Sequence, residues 1–210
     1  YFDPPGTVGR SNAAWIEIGS QTVTVPAGGR RTVVYRVDVP DDKTLEGTYW
    51  SLIMVELLPP ELPATPTPGG QDDGKFSVSL RTVVRYAIQI VTEIGKTGQP
   101  VPQLKNPRLV LTEDGAQHQF QVDIANNGSR WFRPRVWMEV YDRNGSLVGR
   151  FEGGERRLYP GTSVRQRINL GALPAGEYTA ILILDGGDSE VFGARYTLTV
   201  VESTETNAKK

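Results

Sequence analysis

The chain has 210 residues, of which 38% are hydrophobic, and this combination suits one large globular domain or two domains of about 100 residues each. Its net charge is −1, so bulk electrostatics favour neither a nucleic acid nor an anionic membrane as a partner. It contains no cysteine, which excludes disulfides, thiol catalysis and zinc–thiolate sites.

Strand patterns dominate the first 95 residues. Residues 47–58 are mostly apolar on both faces, as in a central strand, and residues 76–94 alternate an apolar even face with a polar odd face. No stretch keeps a helical period of apolar residues over three turns. The patterns predict five strands, at residues 14–18, 21–26, 31–39, 47–58 and 76–94.

Two segments rich in proline and glycine punctuate the chain. The first, PPELPATPTPGGQDDGK at residues 59–75, cannot pack a core and predicts a long mobile hairpin loop. The second lies at residues 96–106 and predicts a linker. We therefore expect one domain over residues 1–95, a second over residues 107–202, and a flexible tail at residues 203–210.

Seven further strands are predicted after the linker. They are RLVLT, HQFQVDIA, RVWMEVYD, SLVGRF, SVRQRINL, EYTAILIL and EVFGARYTLTV. Asn144-Gly145 stands between two of them and is a strong signal for a two-residue hairpin turn. Seven short strands separated by turns are typical of an immunoglobulin-like sandwich. The predicted fold class is therefore all-β, with two tandem immunoglobulin-like β-sandwich domains, the first of them incomplete.

A repeated phrase supports two related domains. GTYWSLIMVEL begins at Gly47 and GEYTAILILDG begins at Gly176, and each follows a turn, a strand and a second turn. In sandwich domains a tyrosine near the start of the sixth strand often fills a corner and bonds to the backbone upstream. We therefore expect Tyr49 and Tyr178 to be structural residues that each begin a core strand.

The first domain has only five predicted strands, whereas a complete sandwich would need seven. We expect the two missing strands to lie in an upstream segment or to be donated by another chain. The chain begins with Tyr1 and shows no signal peptide, and no apolar run reaches the roughly 18–20 residues of a membrane span. We expect a processed, exported protein of the periplasm or the cell surface that is not inserted in a membrane.

The segments AAWIEIGSQTVTVPAGGRRTVVYRVDVPDDKTLEGTYWSLIMVEL, SVSLRTVVRYAIQI and DIANNGSRWFRPRVWMEVYDRNGSLV resemble bacterial exported immunoglobulin-like proteins. This group includes the periplasmic pilus-assembly chaperones and related cell-surface proteins. The chaperones anchor a subunit carboxylate with an arginine in the first strand and a lysine in the last strand of their first domain. Here the last strand offers Arg81 and Arg85, and no apolar strand precedes Trp15. That anchor therefore cannot be transferred.

Candidates for catalysis and for metal binding are few. His118 is the single histidine and is expected to be a polar residue at a strand end. The acidic pairs Asp41-Asp42, Asp72-Asp73 and Asp185/Asp188 lie in predicted loops without the spacing of a calcium loop. We therefore predict a protein that is not an enzyme, with no catalytic residue, no metal site and no cofactor.

One surface patch combines arginines with aromatic residues. In SRWFRPRVW such a combination can bind polyanions, sugars or a protein partner. The alternative is a loop whose aromatic residues cover the end of the sandwich, with arginines stacked on them. The candidate ligand residues are Arg130, Trp131, Phe132, Arg133 and Trp137.

The long strand predicted at residues 76–94 is the candidate partner-binding edge. Ordinary strands have about five or six residues, so this one either bends within its own domain or overhangs as an edge. An overhanging edge with apolar alternation can accept a strand from another chain. The residues expected near its centre are Arg81, Val83, Arg85, Tyr86 and Ile88.

The preferred function is a pilus or fibre assembly chaperone that binds another protein chain by β-strand addition. One alternative is a structural subunit of a surface fibre or adhesion complex, which includes a homo-oligomer. Another alternative is a carbohydrate-binding module that uses the aromatic patch. Nothing in the sequence favours a nucleic acid.

Overall fold

The structure is a computed structural model that describes residues 8–58, 83–187 and 190–201. These residues form an all-β protein with a short 3-10 turn at Ala13–Trp15. The N-terminal strands are β1 (Ile16–Ile18), β2 (Tyr35–Val37), β3 (Gly47–Glu56) and β4 (Arg85–Ile94). The C-terminal strands are β5 (Pro102–Leu111), β6 (His118–Asn126), β7 (Arg135–Tyr141), β8 (Leu147–Glu155), β9 (Ser163–Gly171), β10 (Gly176–Asp185) and β11 (Val191–Val200). No helix within these ranges is long and apolar enough to cross a membrane.

The C-terminal strands form two antiparallel sheets that share one core. The first sheet has the order β5-β6-β9 and the second has the order β11-β10-β7-β8. Alternation along each strand directs every second side chain inward, as in β10, where buried and half-buried residues alternate. The two inner faces together bury Phe120, Val122, Ile124, Val136, Met138, Val140, Ile168, Leu170, Tyr178, Ala180, Leu182, Leu184, Leu198 and Val200.

The N-terminal strands form two separate two-stranded sheets, β1-β2 and β3-β4. Among the described residues they contribute none to the shared core cluster, and Ile90 is their buried apolar residue. Many of their other apolar side chains are exposed, including Tyr35, Val55, Tyr86 and Ile88. This part of the chain is therefore β-structure without a filled core of its own in the described ranges.

Two of the predicted N-terminal strands are shorter than the pattern indicates, and one is not formed. The segment 21–26 lies outside any strand with all its side chains exposed, and the 31–39 prediction shrinks to Tyr35–Val37. The 14–18 prediction begins as a 3-10 turn and becomes a strand only at Ile16. Alternation alone does not make a strand, because its backbone groups also need a neighbouring strand to bond.

The other two predictions meet different outcomes. The strand predicted at residues 47–58 is confirmed as β3, which ends at Glu56. The 76–94 prediction is described only from residue 83, and its strand β4 begins at Arg85. The proline-rich segment 59–75 and the tail at 203–210 lie outside the described residues, and so do residues 76–82.

The seven C-terminal strand predictions are confirmed, with one correction at the start. Strand β5 begins at Pro102, inside the segment 96–106 that was predicted to be a linker. Its register shifts between Lys105 and Arg108, where Asn106 has a φ of 52° and is followed by Pro107. Strand β5 lies at the edge of its sheet and pairs only with β6. Its prolines therefore do not remove a backbone hydrogen bond to a second neighbouring strand.

Candidate functional site

The β3-β4 hairpin is the candidate partner-binding element. Its two strands pair over ten residues each, from Gly47 opposite Ile94 to Glu56 opposite Arg85. One face carries the odd residues of β3 with the even residues of β4, and the opposite face carries the remainder. The first face exposes its apolar residues increasingly toward the end of β3, where Val55 is 47% exposed.

The beginning of this hairpin is attached to the C-terminal strands. The backbone N–H of Thr48 donates to the carbonyl oxygen of Ser129 at 2.8 Å, and the Thr48 side chain is completely buried. The Thr48 hydroxyl accepts a bond from the N–H of Trp131 at 3.1 Å. Gly47 has a φ of 69°, and a Cβ at this position would overlap the Ser129 carbonyl. Glycine is therefore required here for its backbone angle and for the close approach.

Two tryptophans extend this attachment. The indole N–H of Trp131 donates to the Glu93 carboxylate at 2.6 Å. The ring of Trp50 lies 5.7 Å from that of Tyr159, and its N–H donates to the carbonyl oxygen of Pro160 at 3.4 Å. Such aromatic contacts with a satisfied polar atom fix the orientation of the hairpin on the second half of the chain.

The first face of the hairpin, with the odd residues of β3 and the even residues of β4, is covered at its start by the segment before β1. The buried amide of Asn12 donates to the hydroxyl of Thr92 at 2.9 Å. The ring of Trp15 lies 4.6 Å from the ring of Tyr49, and the Arg10 guanidinium lies 5.3 Å from the centre of the Tyr49 ring. The covered part of the face therefore ends near the middle of β3, and the remainder is open.

The predicted partner-binding residues differ in position and in exposure. Arg81 lies outside the described residues, and Val83 precedes the strand and is exposed. Arg85 begins β4 and pairs with Glu56 at 2.7 Å, an exposed ion pair of small energetic value. Tyr86 is 62% exposed and Ile88 is 50% exposed on the open face. The last two therefore form an accessible apolar surface.

The predicted ligand patch is not brought together as one surface. Phe132 is buried in the core, and Trp131 contacts the hairpin as described. Trp137 lies on the outer face of the four-stranded sheet, with the Arg150 guanidinium 4.2 Å above its ring. Arg130 lies 3.9 Å from Glu93 and Arg133 pairs with Glu155 at 3.1 Å. The five candidate residues therefore do not share one exposed surface, and arginines stack on the two tryptophans, Arg157 on Trp131 and Arg150 on Trp137.

An open groove lies where the hairpin meets the C-terminal strands. It has a volume of about 380 Å³ and is lined by Gln89, Arg133, Arg157 and Tyr159. Arg157 stacks over the ring of Trp131 at 4.5 Å and donates to the Tyr159 hydroxyl at 3.2 Å. The groove is therefore polar and basic on one wall, which suits a small polar group more than an apolar one.

The repeated phrase is confirmed as the start of two long strands, although its tyrosines differ. The Tyr178 hydroxyl donates to the carbonyl oxygen of Pro174 at 2.8 Å, which is the expected corner contact. Within the described residues the Tyr49 hydroxyl donates no such bond, and its ring packs on Trp15 instead. His118, at the start of β6, accepts a bond from the N–H of Leu173 at 3.3 Å and acts as a structural residue.

Titratable groups with shifted pKa values lie in both halves of the chain. In the N-terminal half, the bond to the Asp38 carboxylate raises the pKa of Arg36, and bonds from Thr44 lower the pKa of the Asp42 carboxyl. Bonds from Arg165 and Asn106 hold the pKa of the Asp123 carboxyl below its usual range. The Glu139 carboxylate raises the pKa of Tyr141 by accepting its hydrogen bond, and burial raises the pKa of Tyr196. Asp123, Tyr141 and Tyr196 lie on β6, β7 and β11, so these three shifts reflect contacts on the C-terminal strands.

Two of the acidic residues that were considered as possible calcium ligands accept hydrogen bonds from neighbouring residues. Asp42 accepts bonds from the backbone N–H and the hydroxyl of Thr44, and Asp185 accepts one from the N–H of Gly187. Asp72, Asp73 and Asp188 lie outside the described residues. In the described ranges no three histidine, aspartate or glutamate side chains form a group that could hold a metal ion.

Several residues of the junction were not predicted from the sequence. Asn12, Thr48 and Ser129 are small polar residues in or beside turns, and nothing local distinguishes them from other turn residues. Their contacts join positions about 80 residues apart, as between Asn12 and Thr92. The one available signal was Gly47, because the repeated phrase singled it out.

Comparison with models of known protein families gives no match, and comparison with curated protein sequences gives none either. Among solved structures, the chain is similar to part of DesR, a β-glucosidase from Streptomyces venezuelae in complex with D-glucose. The identity is 14% and the TM-score 0.33, over 49% of this chain and 15% of the glucosidase chain. The match thus spans a small part of that enzyme, and at this TM-score it supports no inference about fold or function.

Proposed function

We propose that the protein is not catalytic and acts by contact with another protein chain, through β-strand addition at the β3-β4 hairpin. The observation that carries this proposal is the outer edge of β4. Within the described residues β4 pairs only with β3, so one side of its backbone from Arg85 onward has no strand partner. Such an edge offers a row of donors and acceptors to an incoming strand.

The side chains near this edge support the same proposal. Tyr86 and Ile88 alternate with Ala87 and Gln89 along β4, and the first two are large, apolar and exposed. An incoming strand would bond to the backbone, while contacts with Tyr86 and Ile88 would fix its register.

We infer that β5–β11 form an immunoglobulin-like sandwich. Three features support this: the sheets β5-β6-β9 and β8-β7-β10-β11, the shared core, and the tyrosine corner at Tyr178. The N-terminal strands would then be a second, incomplete domain of the same type. The exposed apolar side chains of β3 and β4 support this inference, because a complete sandwich would bury them.

The assembly-chaperone form of the proposal, with an exported protein in the periplasm or at the cell surface, rests on the sequence resemblance. A permanent fibre subunit would use the same edge and differ by keeping its partner. The dispersal of the aromatic patch gives no support to the carbohydrate-binding alternative.

A photo-cross-linking experiment tests the proposal. A benzoylphenylalanine placed at Ala87 in the chain, produced in its native host, should cross-link a protein partner that mass spectrometry can identify. The same group at Leu147 is the control, because Leu147 is exposed on the edge strand β8 of the other sheet. Equal cross-linking at both positions, or none at Ala87, would contradict the proposal.

A proline variant gives a second test. Ala87 lies opposite Met54, in a pair whose N–H groups face away from the other strand, so Ala87→Pro removes a donor of the outer edge alone. The variant should keep its fold, measured by near-ultraviolet circular dichroism, and lose the cross-linked partner when the reactive group is moved to Tyr86. Retention of the partner would count against edge pairing.

A further inference from the structure

The outer face of the β5-β6-β9 sheet is basic, although the chain as a whole has a net charge of −1. Alternate residues of β6 and β9 are buried, and the residues between them form this outer face together with the β5 residues directly opposite. The face carries four cationic side chains and one carboxylate, for a net charge of +3. They are Lys105, Arg108, Arg165, Arg167 and Asp123.

The outer face of the four-stranded sheet has the opposite sign. Its strands place five carboxylates and three arginines outward, for a net charge of −2. The carboxylates are Glu139, Glu152, Glu155, Glu177 and Asp185, and the arginines are Arg135, Arg150 and Arg195. The small net charge of the chain therefore combines a basic face with an acidic face.

Most of the cations on the basic face have no carboxylate partner. Arg165 donates to both oxygens of Asp123, at 2.8 and 3.0 Å. Among the described residues, no carboxylate lies within ion-pair distance of Lys105, Arg108 or Arg167. These three cations therefore keep their charge for a ligand.

A chain of amide bonds orients one of these cations. The Arg108 guanidinium donates twice to the amide oxygen of Gln121, at 3.0 and 2.7 Å. The Gln121 amide in turn donates to the amide oxygen of Gln119 at 2.8 Å. Because an amide oxygen has no net charge, it fixes the direction of the guanidinium without neutralising it.

The strand register sets the spacing of the cations. Arg108 and Arg167 lie opposite Gln121 from its two sides, and Lys105 and Arg165 lie opposite Asp123 in the same way. With strands about 4.8 Å apart and alternate residues about 7 Å apart, the four backbone positions form a rectangle of about 10 by 7 Å. A polymer with repeated anionic groups can contact several of these cations at once, whereas a small anion cannot.

The remaining polar residues of this face favour a ligand rich in hydroxyl groups. They are mostly primary amides, namely Gln103, Gln119, Gln121 and Asn169. A primary amide both donates and accepts hydrogen bonds, as a sugar hydroxyl does. Single-stranded nucleic acids bind by stacking on aromatic side chains, and none of the paired outward residues of this sheet, all of them described, is aromatic.

We propose that the outer face of β5-β6-β9 binds an acidic polysaccharide. Its carboxylate or sulfate groups contact Lys105, Arg108 and Arg167, and its hydroxyls bond to the amides between them. Charge complementarity identifies this class of ligand, and the amides distinguish it from other polyanions. This activity is additional to strand addition, and it uses no residue of the β3-β4 hairpin or of the aromatic patch.

Titration calorimetry of the full chain tests the proposal with two acidic polymers, polygalacturonate and dextran sulfate. Fully methyl-esterified polygalacturonate and unmodified dextran are the matched uncharged controls. At least one acidic polymer should bind at about 0.1 M salt and dissociate near 1 M salt, where the charges are screened, and the uncharged polymers should not bind. Binding of neither acidic polymer, or equal binding of charged and uncharged polymers, would overturn the proposal.

Two double variants locate the binding surface. Arg108→Gln with Arg167→Gln should weaken binding about fivefold or more, because it removes two unpaired cations of the basic face. Arg143→Gln with Arg195→Gln is the control, since it removes the same charge from exposed positions outside this face and should change the affinity less than about twofold. Near-ultraviolet circular dichroism checks the fold of both. Equal weakening in the two would show that overall charge alone drives binding, which would overturn the site.

Further arms of the experiment identify the class of polyanion. A mixed-sequence single-stranded oligodeoxynucleotide and phosphatidylglycerol vesicles are titrated in the same way. Tighter binding of either, lost in the Arg108/Arg167 variant, would assign the face to a nucleic acid or a membrane and overturn the polysaccharide. Ala87→Pro should leave polysaccharide affinity unchanged, and a loss of that affinity in this variant, with its fold retained, would overturn the separation of this surface from the hairpin.

Discussion

The backbone N–H of Thr48 bonds to the carbonyl oxygen of Ser129 at 2.8 Å, across the junction between the N-terminal hairpin and the C-terminal strands. This contact requires a glycine beside it, because a Cβ on Gly47 would overlap the same carbonyl group. In its first copy the repeated phrase therefore both begins a strand and attaches the hairpin to the other half of the chain.

Gly47→Ala should loosen this attachment. The left-handed backbone angle costs about 1 kcal/mol for a residue with a Cβ, and the overlap with Ser129 adds about 1–3 kcal/mol. Gly95→Ala is the matched control, since Gly95 also has a positive φ, of 56°, and nothing lies near its Cβ position. Urea unfolding followed by tryptophan fluorescence should show the larger loss for Gly47→Ala. Equal losses would show that backbone strain alone explains the glycine.

Tyr178→Phe should lower the free energy of unfolding by about 1 kcal/mol, because it removes the hydroxyl bonded to Pro174. Tyr49→Phe provides the internal control at the equivalent position of the repeat, where the hydroxyl donates no backbone bond in the described residues. Its effect should stay within about 0.5 kcal/mol. Thermal or chemical unfolding of both variants measures the difference, and a larger effect at Tyr49 would contradict the corner assignment.

The C-terminal strands could be predicted from the sequence because local pattern and tertiary contact agree there. In β9 the side chains of Gln166, Ile168 and Leu170 are buried while the residues between them are exposed. The segment 21–26 has a similar alternation, yet it forms no strand, and no strand within the described ranges pairs with it. Period two predicts which side chains share a face and says nothing about whether another strand is available.

The candidate site was only partly predictable for the same reason. Tyr86 and Ile88 were found because they lie on the apolar face of an alternating strand. The aromatic patch was predicted as one surface, but Trp131 and Phe132 point to opposite sides, one toward the hairpin and the other into the core. The contact of Thr48 with Ser129 depends on the packing of two distant segments, and no local pattern encodes it.

Among the polar residues of the C-terminal strands, Asn126 should be the one whose substitution lowers stability most. Its buried amide accepts bonds from the N–H groups of Val101 and Gly128 and donates to the carbonyls of Arg130 and Leu158. Asn126→Ala leaves these groups unpaired and should cost about 3 kcal/mol. Asn127→Ala is the neighbouring control, whose exposed amide bonds only to Gln103, and it should cost less than about 1 kcal/mol. Equal unfolding midpoints for the two variants would refute the role of Asn126.

Asp123 should contribute to acid sensitivity. Bonds from Arg165 and Asn106 lower its pKa in the folded chain relative to about 3.9 in the unfolded chain. The contribution of Asp123 to the stability of the fold is therefore fully present above about pH 4, and it is lost as the pH falls further, toward the pKa of the folded state. Asp123→Asn should lower stability at pH 7 and flatten the decline below about pH 4. Urea midpoints measured across this range test it, and an unchanged acid slope would contradict the assignment.

Substitutions at two equivalent positions test how complete the core of the N-terminal strands is. Val55 and Leu184 occupy the same position after the two glycines, but the first is 47% exposed and the second is completely buried. Leu184→Ala should destabilise the chain by about 2–5 kcal/mol, whereas Val55→Ala should change stability by about 0.5 kcal/mol or less. Urea unfolding of both variants measures this difference. A large loss of stability for Val55→Ala would contradict the exposure of this face.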